Sequence, residues 1–220
     1  NHKIQKYTHI IIDESQDLSR VQLQCLMQMY ESEKDYSSIM FVADTAQSIY
    51  STSWLVKGRS FTSIGLDMTG KSTSLAKNYR TTTQIAEAAY SLISEDTDIV
   101  NDDNFVKPSL IDKQGSYPIF TQYHTIQEEI VGTEGLLRKL LKRYDAKEIA
   151  IVARTKRVLE EFQNEMDKNI KTALYTAQEG INFGEDTIKL LTMHSIKGLE
   201  FKIVILIGLS EKILPNPNLL

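Results

Sequence analysis

The sequence predicts an α/β fold in which parallel strands alternate with helices. Short apolar runs such as His9–Ile12 and Ile149–Ala153 end in polar residues, as buried parallel strands do. Stretches with apolar residues at helical spacing separate these runs. The 220 residues are 41% hydrophobic and 25% charged, which is the composition of a folded globular chain. This alternation indicates βαβ units with helices on both faces of the sheet.

The first predicted unit occupies the start of the chain. A strand at His9–Ile12 precedes a helix in which apolar residues recur from Leu18 to Met29, and a second strand follows at Ile39–Ala43. Each of these strands leads directly into a carboxylate. Polar side chains are thus expected at the carboxyl edge of the sheet, where open α/β sheets bind ligands.

Two later helices have start signals. Thr81 and Gln84 form a capping-box pattern before an apolar stripe, and Thr125 with Glu128 starts a helix that runs to about Arg143. Between these helices, a polar loop is predicted at 95–117 and a strand at Pro118–His124. After them, strands are predicted at Ile149–Ala153, Ile188–Thr192 and Ile203–Ile207, with a helix at 158–166 after the first of these.

Composition and charge exclude several classes of protein. A net charge of −4 and a pI near 5.6 give no overall attraction to nucleic acid, so any such contact must come from local groups. The single Cys25 excludes an internal disulfide framework, and no apolar run approaches the roughly 20 residues that span a bilayer. A cytoplasmic protein is expected. Because the chain begins at Asn1 without a signal-peptide pattern, it is interpreted as an excised fragment.

Asp13 and Glu14 are the first candidates for chemistry. Nucleotide hydrolases place such a pair at the end of a buried strand, where one carboxylate holds Mg²⁺ and its neighbour orients or deprotonates water. An isolated pair is more often two solvated acids between strand and loop. Three further strings of polar residues shift that balance, and they are found at 44–50, Asn78–Arg80 and Thr192–Phe201.

With these strings the chain resembles the UvrD/Rep/PcrA family of DNA helicases, whose second through fifth motifs they match in order. The resemblance implies a RecA-like core of the P-loop NTPase type. Residues 1–70 would be the C-terminal part of the first RecA-like domain, and residues 71–220 a second one truncated before its last motif. ATP with Mg²⁺ would bind between the domains, and its hydrolysis would drive movement on single-stranded DNA.

The resemblance also implies the catalytic roles. Asp13 would coordinate Mg²⁺, Glu14 would be the catalytic base, and Gln47 would sense the γ-phosphate. Tyr79 would stack on the adenine. Arg80 would be an arginine finger, since a guanidinium suits the negative charge that spreads over the γ-phosphate. The ordinary alternative for Arg80 is a surface ion pair at the entry of a helix.

Other family positions imply contacts with DNA and with the nucleotide ribose. Thr192, His194 and Lys197 would lie near the DNA backbone. Glu200 would lie near the ribose. The ordinary alternative for His194 is a satisfied polar residue at a strand end. Arg154 also matches a family position, but the resemblance gives it no definite role.

Three features depart from the family pattern. Ala43 stands where the family usually has Gly. Tyr50 belongs to a DNA-contacting string, but Trp54 lies four residues after it instead of two, so Trp54 either stacks on a base or anchors the core. The spacing from Arg80 to Thr192 is short, and in this the chain resembles helicase IV and the HelD proteins. The HelD proteins are known for acting on RNA polymerase. A scaffold on RNA polymerase, with ATP modulating release, is therefore the alternative function.

The segment Gly65–Ser72 satisfies the phosphate-loop pattern letter for letter. A working phosphate loop follows a buried strand and opens a helix, whereas Phe61–Ile64 is short and half polar and the residues after the segment favour a strand. The segment also follows Asp13 and Glu14, which is the wrong order for the family. A turn is expected here, with the phosphate loop upstream of Asn1 and no ATPase activity in the chain alone.

Overall fold

The chain divides into two compact units, residues 1–119 and 120–220. The computed structural model describes residues 4–44, 47, 61–71, 73, 75, 77, 79–96, 100, 113–175 and 180–210. Each unit has its own parallel sheet. None of the described helices has the length and hydrophobicity that a bilayer span requires.

Strands and helices alternate in both units. The described part of the first unit contains β1 His9–Ile12, α1 Arg20–Gln28, β2 Ser38–Phe41 and α2 Thr83–Ile93. The described part of the second contains α3 Ile126–Leu140, β3 Ile149–Ala153, α4 Lys156–Glu165, β4 Thr172–Leu174, β5 Ile188–Thr192 and β6 Ile203–Leu206. Short 3-10 helices lie at Ser15–Asp17, Phe61–Ile64 and Ala146–Glu148.

The first unit forms the predicted βαβ arrangement. β1 and β2 pair in parallel, with Ile10 opposite Ile39. Between them, α1 begins at a capping box in which Ser19 and Gln22 bind each other's backbone amides. Leu23 on α1 is buried against four apolar residues from outside the helix, namely Leu18, Phe41, Phe61 and Ile64. The predicted strand, helix and second strand are confirmed.

The second unit contains a four-stranded parallel sheet in the order β4-β5-β3-β6. Every residue of β3 is buried, because β5 and β6 cover its two edges, α3 and α4 cover one face, and apolar residues after β5 cover the other. Leu137 of α3 and Phe162 of α4 fill the core under this sheet. The three strands predicted at β3, β5 and β6 are confirmed, as is the helix that follows β3. β4 was not predicted, since its three residues give too short a pattern.

Two local predictions are wrong. The predicted strand Pro118–His124 has no regular secondary structure and belongs to neither sheet of the described residues, and Ile119 and Phe120 are 89% and 81% exposed. β-propensity without a neighbouring strand does not make a ladder. The predicted capping box of Thr81 with Gln84 does not form, because the N-cap of α2 is Thr82.

Candidate active site

The first group of predicted residues lies where β1 and β2 end. The two strands leave the sheet side by side, since the Val42 amide donates to the Ile12 carbonyl at 2.8 Å and the Ser15 amide donates to the Val42 carbonyl at 2.9 Å. Asp13 and Glu14 follow the first strand, and Asp44 follows the second. The parallel pairing therefore places three carboxylates at one edge of the sheet.

Glu14 has an unusual backbone conformation. Its φ of 51° and ψ of 37° lie in the left-handed region, and among the described residues no other non-glycine residue has a positive φ. Such a conformation costs about 1–3 kcal/mol and persists only where the surroundings fix it. The Glu14 amide donates to Oδ1 of Asp13 at 2.9 Å, which helps to fix it. The strain thus falls on the predicted catalytic base.

Gln16 was not predicted as a site residue. It is fully buried, its Nε2 donates to Oε2 of Glu14, and its Oε1 accepts from the Asp44 amide at 3.1 Å. A side-chain amide can serve two neighbours in this way because it carries both a donor and an acceptor. One feature of the sequence could have indicated this role: Gln16 lies among the acidic residues of Asp13–Asp17. A surface loop would not need a side-chain amide at this position.

Gln47 completes a chain of hydrogen bonds at this edge. Its backbone amide donates to the Asp44 carbonyl at 3.1 Å, and its Nε2 donates to Oδ2 of Asp44 at 2.6 Å. We call Glu14, Gln16, Asp44 and Gln47 the β1–β2 network. Glu14 and Gln47 were predicted as site residues from separate strings. Gln16 and Asp44, which were not predicted as site residues, connect them.

Tyr79 and Arg80 form a second group, directly before α2. Tyr79 is 71% exposed, as a side chain that stacks on a planar ligand would be before binding. The Arg80 carbonyl accepts a hydrogen bond from Nζ of Lys113 at 2.6 Å, so the residue is held by its backbone. Tyr50 and Trp54 lie outside the described residues.

The third group lies in the second unit, where β3 and β5 end. Arg154 follows β3 and His194 follows β5, and Nη1 of Arg154 lies 3.0 Å from Nδ1 of His194. A guanidinium can only donate, so Nδ1 of His194 accepts this hydrogen bond. His194 is therefore oriented by the residue that follows the neighbouring strand β3.

A compact turn presents the remaining predicted residues. Oγ1 of Thr192 accepts from the Ser195 amide at 3.1 Å and lies 2.9 Å from the Ser195 hydroxyl. The apolar residues of the turn pack against β3 and β5, and they include Met193, Ile196, Leu199 and Phe201. Lys197 is partly buried and Glu200 is exposed between these anchors. The turn is thus rigid enough to hold polar groups in fixed positions.

The phosphate-loop pattern at Gly65–Ser72 does not have the geometry of a phosphate loop. The 3-10 helix Phe61–Ile64 precedes it in place of a strand. Nζ of Lys71 donates to the Asp67 carbonyl at 2.9 Å, within its own turn. Hydrogen bonds from Thr69 hold the pKa of the Asp67 carboxyl below its usual value. Between this turn and α2, the described residues contain no helix.

Two family models match the chain. The model of the UvrD/REP helicase N-terminal domain matches residues 1–54, and that of the UvrD-like helicase C-terminal domain matches residues 73–183 and 169–218. The chain belongs to the UvrD-like helicase family. Family membership confirms the RecA-like α/β fold, and it supports an ATP-dependent helicase function with binding to nucleic acid. No curated protein matches the helicase chain.

The helicase can be divided in two ways. The matches to the family models are separated between residues 54 and 73, whereas the compact units are separated between Ile119 and Phe120. Residues 73–119 therefore match the C-terminal model but group with the first unit. The domain boundary near residue 70 stays a prediction.

The donor set at the β1–β2 edge fits a magnesium ion that is shared with a nucleotide. Mg²⁺ is usually held by one or two carboxylates together with phosphate oxygens and water. Asp13 is exposed at this edge and supplies such a carboxylate. Within the described residues, no group of three or more His, Cys, Asp and Glu could hold a metal by itself. An ion held by Asp13 would take its other ligands from phosphate and water.

Proposed function

We propose that this helicase hydrolyses ATP at the ends of β1 and β2 and uses the energy to move along single-stranded DNA. The observation that carries the proposal is the β1–β2 network. It joins the proposed base Glu14 to the proposed γ-phosphate sensor Gln47 through Asp44 and the buried amide of Gln16. A change at the γ-phosphate sensed by Gln47 can therefore reach the base without leaving this edge of the sheet.

The residues at this edge divide the chemistry. Glu14 takes a proton from the attacking water, and the hydrogen bond from Gln16 to Oε2 fixes the carboxylate so that the other oxygen can do so. Asp13 would hold Mg²⁺, which neutralises charge on the β- and γ-phosphates when bound. Arg80 compensates the charge that develops on the γ-phosphate.

Binding of the nucleotide base and ribose is proposed for two other residues. Tyr79 offers an exposed ring for stacking on adenine. Glu200 is exposed after the turn that follows β5, and its carboxylate would accept from a ribose hydroxyl.

The DNA strand is proposed to contact the end of β5. His194 offers an imidazole ring, Lys197 a positive charge and Thr192 a hydroxyl, which are groups that bind phosphates without reading sequence. Tyr50 and Trp54 are proposed to stack on bases, since aromatic faces accept any base. Arg154 acts through His194 by holding its ring.

The test of the proposed function is Glu14→Gln in the complete gene product. The substitution keeps the shape of the side chain but removes the base, so ATP hydrolysis at saturating oligothymidine should fall by about 10² or more while ATP still binds. Glu33→Gln, at an exposed residue between α1 and β2, is the matched control and should change neither quantity. Near wild-type hydrolysis by Glu14→Gln would show that the base is misassigned.

The same experiment separates the helicase from the scaffold alternative. A scaffold on RNA polymerase would keep its binding partner and its cellular effect in Glu14→Gln, because neither needs turnover of ATP. A translocase would lose the effect together with hydrolysis. Survival of the cellular effect without hydrolysis would therefore displace the proposed function.

The 220-residue chain by itself is expected to hydrolyse no ATP, since it lacks a phosphate loop of the required geometry in its described residues. Lys71→Ala should leave ATP binding by the complete gene product unchanged, because Lys71 binds its own turn. An ATPase assay measures hydrolysis by the chain, and isothermal titration with ATP and Mg²⁺ measures ATP binding by the complete gene product. Magnesium-dependent turnover by the chain that disappears with Lys71→Ala would contradict both expectations.

A further inference from the structure

The start of α2, which Arg80 precedes by three residues, is held by a short segment from farther along the chain. We propose that this segment, Lys113–Gly115, is a positioning strap that sets the place of the arginine finger. The inference rests on the proposed function of Arg80 as the residue that compensates charge on the γ-phosphate. It assigns a role to Lys113 and Gly115, which no motif of the sequence marks.

Two hydrogen bonds from Lys113 hold both sides of the α2 N-terminus. Its Nζ donates to the Arg80 carbonyl at 2.6 Å, and its carbonyl accepts from the Thr83 amide at 2.8 Å. The amide of Thr83 lies in the first turn of α2, where it has no partner within the helix. The Lys113 carbonyl thus supplies the acceptor that a capping side chain would otherwise supply. Its side chain binds the backbone of Arg80 as well.

Gln84 forms the second half of the strap contact. Its Oε1 accepts from the Gly115 amide at 2.8 Å, and its Nε2 donates to Oε1 of Gln114 at 2.6 Å. This use of the side chain explains why the predicted capping box with Thr81 does not form. The strap and the first turn of α2 are joined at both ends of the three-residue segment.

Gly115 allows the strap to lie directly on the N-cap residue. A Cβ at this position would stand 2.5 Å from Cγ2 and 2.9 Å from Cβ of Thr82. Real Cβ atoms are not found this close to a neighbouring carbon, so any larger residue must push the strap and Thr82 apart. Thr82 is two residues from Arg80, and the displacement would reach the finger through a short piece of backbone.

The consequence for the reaction follows from geometry. A misplacement of about 1 Å can lower a rate by about 10², because the charge of a finger acts over a short distance. The strap therefore matters in the transition state more than in the binding of ATP. A loosened strap should lower kcat and leave KM for ATP nearly unchanged.

The test uses the complete gene product and DNA-stimulated ATP hydrolysis. Lys113→Met should lower kcat by about tenfold and Gly115→Ala by about 10- to 100-fold, each with KM for ATP within about twofold. Arg80→Ala should lower kcat by about 10³ or more. The double variant of Arg80→Ala with Lys113→Met should be no slower than Arg80→Ala alone, because the strap acts only through Arg80. Lys113→Arg keeps a donor and should restore most of the activity.

Matched controls separate positioning from general damage. Lys142→Met changes another exposed lysine, and Gly135→Ala adds a Cβ that meets nothing within 4 Å, so both should keep wild-type kcat. Wild-type kcat in Lys113→Met and Gly115→Ala, with Arg80→Ala still slow, would overturn the strap alone. Additive losses in the double variant would also overturn it. Wild-type kcat in Arg80→Ala would instead overturn the proposed function, and the strap with it.

Discussion

At the ends of β1 and β2, and again at the ends of β3 and β5, a side-chain hydrogen bond links two neighbouring parallel strands. Gln16 spans the first pair by binding Glu14 and the Asp44 amide. Arg154 spans the second pair by binding His194 at 3.0 Å. Both edges thereby fix a polar side chain against the next strand, although the two pairs of strands lie in different compact units.

The two edges differ in charge and in backbone strain. The first carries carboxylates and holds Glu14 in the left-handed region. The second carries an arginine, a histidine and Lys197, and its turn is anchored by apolar residues such as Met193. A strained acid suits proton transfer, whereas donors on a rigid turn suit a phosphate backbone. The difference supports the proposal that ATP hydrolysis takes place at the first edge and that DNA binds at the second.

The largest effect is expected from removing the bridge at the first edge. Gln16→Leu takes away the donor to Glu14 and the acceptor of the Asp44 amide. We expect kcat to fall by about 10², because the base loses its fixed orientation. The free energy of unfolding should fall by about 1–3 kcal/mol, because the fully buried side chain loses two hydrogen bonds. Stopped-flow ATPase and urea unfolding of the complete gene product measure the two.

Gln24→Leu is the control for this change. Gln24 lies on the exposed side of α1, so the same substitution there removes no buried hydrogen bond. Both kcat and stability should stay close to wild type. Equal losses of kcat and of stability in the two variants would contradict a specific role for the hydrogen bonds of Gln16.

The comparison also shows what could be predicted from the sequence. Strand ends and their polar residues were predicted because apolar runs are local, as at His9–Ile12 and Ile188–Thr192. The roles of Gln16 and of the strap were not, because they depend on contacts between residues far apart in the chain. Gln84 looked like a capping residue, and only the approach of Gly115 gave its side chain another partner. Hydrogen-bond choice among several neighbours is decided by tertiary structure.

A smaller effect is expected at the second edge. Lys197→Ala should weaken binding of oligothymidine by about tenfold at low salt and reduce the slope of log K against log salt by about 1, since one phosphate contact is lost. Fluorescence anisotropy at several salt concentrations gives the slope. Lys168→Ala, an exposed lysine beyond the end of α4, is the control and should keep the wild-type slope. An unchanged slope in Lys197→Ala would exclude a phosphate contact.

The smallest effect is expected at the opposite end of β5. Lys189 is fully buried, and its Nζ donates to the Glu185 carbonyl at 2.7 Å and to Oγ1 of Thr187 at 2.9 Å. Burial lowers the pKa of Lys189 from its ordinary value of 10.5, against the opposing charges of Glu185 and Asp186. The side chain stabilises the sheet where β5 begins and takes no part in the proposed contact with DNA.

The pH dependence of stability tests this role of Lys189. Between its lowered pKa and 10.5 the unfolded chain binds more protons than the folded one, so the wild-type stability should rise with pH in that window. Lys189→Met has no such proton and should lack this part of the rise, with strand binding unchanged. Urea unfolding of both proteins from neutral pH to pH 10.5 shows the difference. Parallel curves would contradict the lowered pKa.

The division of labour between the two edges is tested most directly by measuring two quantities on two variants. Gln16→Leu and His194→Ala are compared for kcat at saturating oligothymidine and for the Kd of oligothymidine without nucleotide. We expect Gln16→Leu to lower kcat by about 10² with an unchanged Kd, and His194→Ala to raise Kd by about tenfold with a much smaller change in kcat. Equal changes of both quantities in both variants would contradict the division.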